Sequence, residues 1–185
     1  MKALKITLAV LAILVALPFV VALFINGSYA IEKQITINKP KQEVYEYIKY
    51  LKNQNEYSVW AKLDPAMKQT HLGTDGTVGF IEAWESTDKN VGKGEQEITK
   101  LVEGERIETT IRFKEPIAST DKAYIALEAR DSTSTTVKWG FTGKMKYPLN
   151  LLLLVMNMEE MVGNDLQNGL ANLKAIMEKR QSTNQ

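Results

Sequence analysis

Residues 135–179 read TTVKWGFTGKMKYPLNLLLLVMNMEEMVGNDLQNGLANLKAIMEK, and the change of rhythm inside this stretch decides the fold. Val137, Trp139 and Phe141 alternate with Lys138 and Thr142, the period of two of a strand with one apolar face. After Tyr147-Pro148 comes a dense apolar run over 149–158. Then Val162, Leu166, Leu170, Leu173 and Met177 mark one stripe of a long helix. A strand that ends in a long amphipathic helix needs a broad surface to bury the stripe.

The residues before it supply that surface. Strands are predicted near 121–130, 105–114 and 91–101, separated by Asp131-Ser132, Pro116 and Glu103-Gly104. In one of them Ile107, Thr109, Ile111 and Phe113 oppose Arg106, Glu108, Thr110 and Arg112, the alternation of an antiparallel sheet covered on one face. Gly73-Thr74-Asp75-Gly76 marks a turn between strands near 67–72 and 77–86. Further back, Pro40 suits the first turn of a helix over roughly 40–52, carried by Val44, Tyr47, Ile48 and Leu51. Asn53-Gln54-Asn55 breaks that pattern, and a short helical turn runs on toward Trp60. Ile31, Lys33, Ile35 and Ile37 alternate with polar neighbours as a first strand. The expected class is α+β: strand, two short helices, about six strands and a long helix, as a curved antiparallel sheet around that helix.

From Ile6 to Ile25 the chain reads ITLAVLAILVALPFVVALFI, without a charge. As a helix rising about 1.5 Å per residue it spans roughly 30 Å, the thickness of a bilayer core. Pro18 is tolerated in such a helix when its freed carbonyl is re-satisfied. Lys2 and Lys5 precede the span and the next basic residue is Lys33, which puts the amino terminus in the cytoplasm and the domain outside. A cleaved signal peptide is the rival, with small residues at Ser28-Tyr29-Ala30, but the run exceeds the ~7–15 residues of a signal core. The division expected is an anchor over 1–28, a domain over 31–180 and a tail over 181–185.

Composition excludes several classes. Removing Lys2 and Lys5 from the 23 basic residues leaves 21 against 22 acidic ones, a near-neutral domain without the basic footprint of a nucleic-acid binder. With no cysteine and one histidine, disulfides, thiolate nucleophiles and multi-histidine metal centres are excluded within one chain. No cofactor is called for.

Five segments, SVWAKLDP at 58–65, GTDGTVG at 73–79, VGKGEQEI at 91–98, TVKWGF at 136–141 and GLANLK at 169–174, resemble in order and spacing the START-like SRPBCC superfamily of polyketide cyclase/dehydrase and lipid transport proteins. The resemblance runs from about Ile31 to Lys179 and is closest to membrane-anchored bacterial members. It implies a helix-grip fold with a cavity between sheet and helix, and binding of a lipid or other apolar small molecule. It supplies no catalytic residues, and fold analogy alone assigns no chemistry.

Glu82 shares a predicted face with Phe80 and Trp84. Turned inward, it is a carboxyl in an apolar cavity with a raised pKa, a general acid or a polar anchor; turned outward, it is solvated. His71, the one imidazole of the chain, is a candidate base that shows no partner in sequence. Trp60, Trp84, Trp139, Phe80, Phe113, Phe141 and Ile111 are candidate ligand contacts or ordinary core. Met158 and Met161, with Met145 and Met156, cluster where the family's cavity mouth is expected, and the run 149–158 either rests on a membrane, gates the cavity or starts a packed helix. Arg106 and Arg112 read as solvated charges. Three functions follow: a membrane-tethered binder of an apolar small molecule, a cyclase- or hydrolase-like enzyme using Glu82 or His71, and a structural envelope protein whose cavity is closed by its own aromatics.

Overall fold

Seven antiparallel strands make one curved sheet in the order β1-β7-β6-β5-β4-β3-β2, in a computed structural model that describes residues 2–179. They are β1 (Ser28–Ile37), β2 (Lys68–Leu72), β3 (Ile81–Glu85), β4 (Lys93–Val102), β5 (Arg106–Glu115), β6 (Ser119–Ala129) and β7 (Thr135–Lys144). Among the described residues five α-helices accompany the sheet: α1 (Lys2–Ala22), α2 (Lys41–Ile48), α3 (Leu51–Tyr57), α4 (Val59–Leu63) and α5 (Met158–Lys179). The expected tail, 181–185, lies outside the described residues. Leu166, Leu170, Leu173 and Met177 of α5 are buried against Ile37, Val137, Leu127, Ile125 and Ile107 of the sheet and Val44 and Tyr45 of α2. This is the helix-grip arrangement, with the alternating strands turning one face to the helix and the other to water.

The outward face carries paired charges. Arg112 meets Glu97 at 2.6 Å and Glu95 at 3.3 Å, and Arg106 meets Glu108 at 2.8 Å while lying over the Tyr124 ring. Being half-buried at most and open to water, such pairs add little stability individually.

Three expectations change in detail. The helix over 40–52 is two helices, because Tyr50 is extended and the Asp75 carboxylate accepts hydrogen bonds from Leu51 N at 2.8 Å and Lys52 N at 3.2 Å. The turn at 73–76 thus caps α3 from across the molecule, satisfying amides that a helix start leaves unpaired. Asn53, Gln54 and Asn55 therefore lie inside α3 instead of breaking a helix. The third change is in the strand expected over 77–86, which begins at Ile81, because Gly76 and Gly79 have positive φ.

A close approach fixes the helix on the sheet. A Cβ placed at Gly169 of α5 falls 2.7 Å from the Trp139 ring, which is itself wedged edge-on against Tyr57 and Trp60. Alanine at 169 gains about 1 kcal/mol of helix propensity. It also overpacks a contact whose ring cannot retreat, at a cost of about 1–3 kcal/mol. Gly169→Ala is therefore expected to lower the melting temperature, against the sign that helix propensity alone gives; a melting temperature equal to or above that of the parent contradicts this packing.

Residues 2–21 of α1 are exposed and the helix is long and apolar enough to cross a membrane. The apolar run after β7 does not start α5. It forms a 3-10 helix, Leu149–Leu154, and α5 begins only after Asn157, whose Oδ1 accepts from Glu160 N at 3.1 Å.

Candidate functional site: a cavity at one end of the sheet

The register places residues in rows across the concave face. His71, Glu82, Gln96, Ile111 and Asp121 stand directly opposite one another on β2 to β6. Gln69, Trp84, Gly94, Phe113 and Ser119 form the neighbouring row, nearer the end where β1 begins and β7 finishes. Over these two rows the sheet and α5 do not close, and a cavity of about 330 Å³ remains. The rows toward the opposite end are filled by the apolar core. The fold is thus solid at one end and hollow at the end where α1 joins it.

Its apolar walls are Trp60, Trp84, Ile111, Phe113, Trp139 and Phe141, with Val162 and Leu166 of α5. Trp84 and Phe113 meet edge to face at 6.0 Å, and Trp60 and Trp139 at 6.4 Å. Gly94 has no side chain because the Trp84 ring lies over it, 2.5 Å from where a Cβ would stand. The indole Nε1 donates to Val91 O at 3.2 Å, so Trp84 presents only its apolar surface to the cavity.

Two polar groups of residues interrupt the walls. Near β3, Asn55 Nδ2 donates to Glu82 Oε1 at 2.7 Å, Gln69 Nε2 to Asn55 Oδ1 at 3.0 Å and Gln54 Nε2 to Gln96 Oε1 at 3.3 Å. Glu82 is 8% exposed, and its Oε2 has no hydrogen-bond partner among the described residues. Burial raises its pKa above the ordinary 4.5; the Asn55 hydrogen bond opposes this, Asp75 adds to it and Lys52 opposes it. Near β6, buried Asp121 accepts from Ser119 Oγ at 2.7 Å and Lys144 N at 3.4 Å. Beside it, burial and then the Asp121 charge push the Tyr29 hydroxyl up to about 12, so it stays a neutral donor. A slot with aromatic walls and polar ends suits an amphipathic guest.

Of the residues singled out in the sequence, the structure brings Trp60, Glu82, Trp84, Ile111, Phe113, Trp139 and Phe141 to this cavity. Four others do not line it. Phe80 faces the same way but is packed under Leu51 and Ile98. His71 sits at the outer end of its row, stacked on Phe80 at 5.9 Å, with Nε2 3.8 Å from Glu82 Oε2. That separation is too long for a hydrogen bond. Met158 packs against the core and Met161 points to solvent from α5. Sequence reasoning missed Tyr29, Asn55, Gln69, Gln96 and Asp121. Asp121 carried a signal, since it stands in phase with Ala123, Ile125 and Leu127, which all face inward. Asn55 carried none, because α3 is too short to show a period. Among the described residues no group of three acidic or histidine side chains is placed to hold a metal.

Comparison with known proteins agrees with this architecture. A solution NMR structure of a protein from Thermobifida fusca superposes with a TM-score of 0.56 at 15% identity, over 81% of this chain and 93% of that one. The crystal structure of Ara h 8.0201 gives 0.52 at 16% identity, over 83% and 99%. The Aha1 dimer from Colwellia psychrerythraea gives 0.54 at 14% identity, over 81% and 96%. At such identities the likeness concerns the fold alone. No curated protein matches the chain. The family described as polyketide cyclase / dehydrase and lipid transport matches residues 29–178, from the second residue of β1 almost to the end of α5, and the chain belongs to that family.

Proposed function

We propose that this protein is a membrane-tethered binding domain that holds one amphipathic, largely apolar small molecule in the cavity between its sheet and α5. The observation that carries the reading is the open volume over the rows of Glu82 and Trp84, where a structural protein would be packed solid. About 330 Å³ lies at the small end of the ~300–1,000 Å³ range of ligand pockets. One ring system or one acyl chain fits that space, not a two-chain lipid entire. The family's description, which includes lipid transport, points the same way.

The division proposed is an anchor over 1–28 and a binding domain over 31–180, with the join at β1. Cleavage after Ala30 would remove Tyr29, a cavity wall residue, and the strand pairing of Ser28 to Ala30 with Lys144 to Thr142. That supports a retained helix over a signal peptide. In this reading the amino terminus is cytoplasmic and the domain faces the periplasm or exterior, where a tether raises its concentration at the bilayer that supplies apolar ligands.

Glu82 is the carboxyl left for the guest: Oε1 is held by Asn55, and the buried, unpartnered Oε2 becomes an acceptor for a ligand hydroxyl or amide donor once the side chain turns into the cavity. Its cost to the empty protein is testable. Because the folded pKa lies above the unfolded one, both states carry a neutral carboxyl below about pH 4.5, and the penalty of ionisation grows as pH rises through the folded value. Glu82→Leu is expected to stabilise the ligand-free chain at pH 8 by about 1–2 kcal/mol, the penalty of an unpaired buried acceptor less the lost Asn55 bond. Thermal unfolding at pH 8 and pH 4 checks this; an equal gain at both contradicts a titrating, desolvated carboxyl.

An enzymatic reading keeps one specific support, a buried carboxyl of raised pKa with His71 close by. It requires His71 to swing to its partner when a substrate enters. The binding reading is tested by native mass spectrometry of the full chain, moved from its host membrane into nanodiscs. A retained small molecule is the expected result; a bare chain supports the structural alternative, and a chemically altered guest the enzymatic one.

A further inference from the structure

A buried side chain ties the end of α1 to the domain. Asn150, 4% exposed, donates through Nδ2 to Ala22 O at 2.7 Å and Ile25 O at 3.0 Å, carbonyls that a helix end leaves unpaired. Gly27 closes the joint: Met145 N donates to Gly27 O at 2.9 Å, and a Cβ at Gly27 would stand 2.1 Å from Met145 O. The exit direction of α1 is therefore set by the domain.

Around this joint the surface is apolar. Leu154 is 63% exposed and Val155 81%, next to exposed Leu149 and Leu152 in the 3-10 segment and to Leu23 and Phe24 below α1. Exposed Lys146 and Tyr147 border them, a basic and an aromatic residue of the kind that sits at headgroup depth. Ile117, in the turn between β5 and β6, is exposed at the same end of the sheet. At the far end the turns at Glu103-Gly104-Glu105 and Asp131-Ser132-Thr133 are charged or polar, and the apolar side chains exposed there, Leu72 and Val78, lie on the β2–β3 turn away from α1. At the near end the turn at Thr87-Asp88-Lys89-Asn90 is polar, so the apolar surface of that end is the part beside α1. The apolar surface is continuous with the proposed spanning helix, and the cavity lies over the two rows at this same end.

We propose that residues 149–155 seat the domain in the bilayer surface beside α1, turning the hollow end of the sheet toward lipid. This rests on the anchor reading of α1. Seated so, a lipid-derived molecule passes between bilayer and cavity without crossing bulk water.

The absence of cysteine makes the test direct, because a single introduced cysteine takes one spin label. Full-length Leu154→Cys, Val155→Cys, Leu72→Cys and Leu11→Cys variants are labelled and reconstituted into vesicles of phosphatidylcholine and phosphatidylglycerol. Collision with oxygen and with a water-soluble nickel chelate gives the depth of each label. Labels at 154 and 155 are expected about 5–10 Å into the headgroup and acyl boundary, the depth of interfacial segments. The label at 11 should lie deeper and the label at 72 in water. Labels at 154 and 155 as open to nickel as the one at 72, with 11 still immersed, overturn the seating and leave the anchor standing. A water-exposed label at 11 overturns the anchor and the seating together. Dipolar broadening between labels at 155, with low access to both reagents, overturns it in favour of a second copy covering the patch.

Discussion

Ile111→Trp is expected to expel the ligand while leaving the fold intact. Ile111 stands in the middle of its row, between Gln96 and Asp121, with the cavity above it. An indole there extends into space the protein leaves empty, so the overpacking penalty of about 1–3 kcal/mol falls toward the low end of its range. Aromatic residues are also well accepted in strands. With 330 Å³ to share, an indole rising from the middle of the floor splits the space that one guest would fill. Retained ligand should fall at least about tenfold, a loss of about 1.4 kcal/mol or more of binding free energy, with little change in melting temperature. Native mass spectrometry and thermal unfolding of the same sample read both. Undiminished ligand in a folded variant places the guest elsewhere.

Trp139→Ala is expected to have the largest effect on stability. Its ring is 4% exposed and touches three elements: Tyr57 edge-on at 5.6 Å, Trp60 at 6.4 Å and Gly169 of α5. It is the post between the filled and hollow ends of the molecule. Truncating a buried tryptophan costs about 3–5 kcal/mol, because transfer and cavity terms add. Set against a domain stability of about 5–15 kcal/mol, that removes a large share. For a domain of this size the melting temperature should fall on the order of 10 °C. Trp139→Phe keeps part of the ring and should lose less. An alanine variant within about 1 kcal/mol of the parent contradicts the wedge, since losses that small mark sites without tight packing.

Much of this architecture was legible in the residues because burial imposes a period. Val137, Trp139 and Phe141 announce a half-covered strand, and Leu166, Leu170 and Leu173 a helix lying on it. The phase of Phe80, Glu82 and Trp84 was equally readable, and the fold turns that phase inward. What period could not reveal was contact between distant segments. The Asp75 cap on α3 splits what looks like one helix, and nothing near Leu51 forecasts it. Phe80 shares a face with Glu82, yet α3 lays Leu51 over it, so only one of the two reaches the cavity. The polar residues at the cavity's ends come from α3, β1, β2, β3, β4 and β6. Their meeting depends on strand register, which alternation alone leaves free by two residues.

Binding requires an unfilled gap beneath α5 that a guest occupies. A high-resolution structure of the full chain, purified gently from its own membrane, tests this most directly. Elongated density between Trp60, Trp84 and Phe113, with a polar atom at hydrogen-bond distance from the Glu82 carboxyl, is the predicted result. Trp84 and Phe113 collapsed onto α5, with the gap closed and Glu82 turned to water, would contradict it.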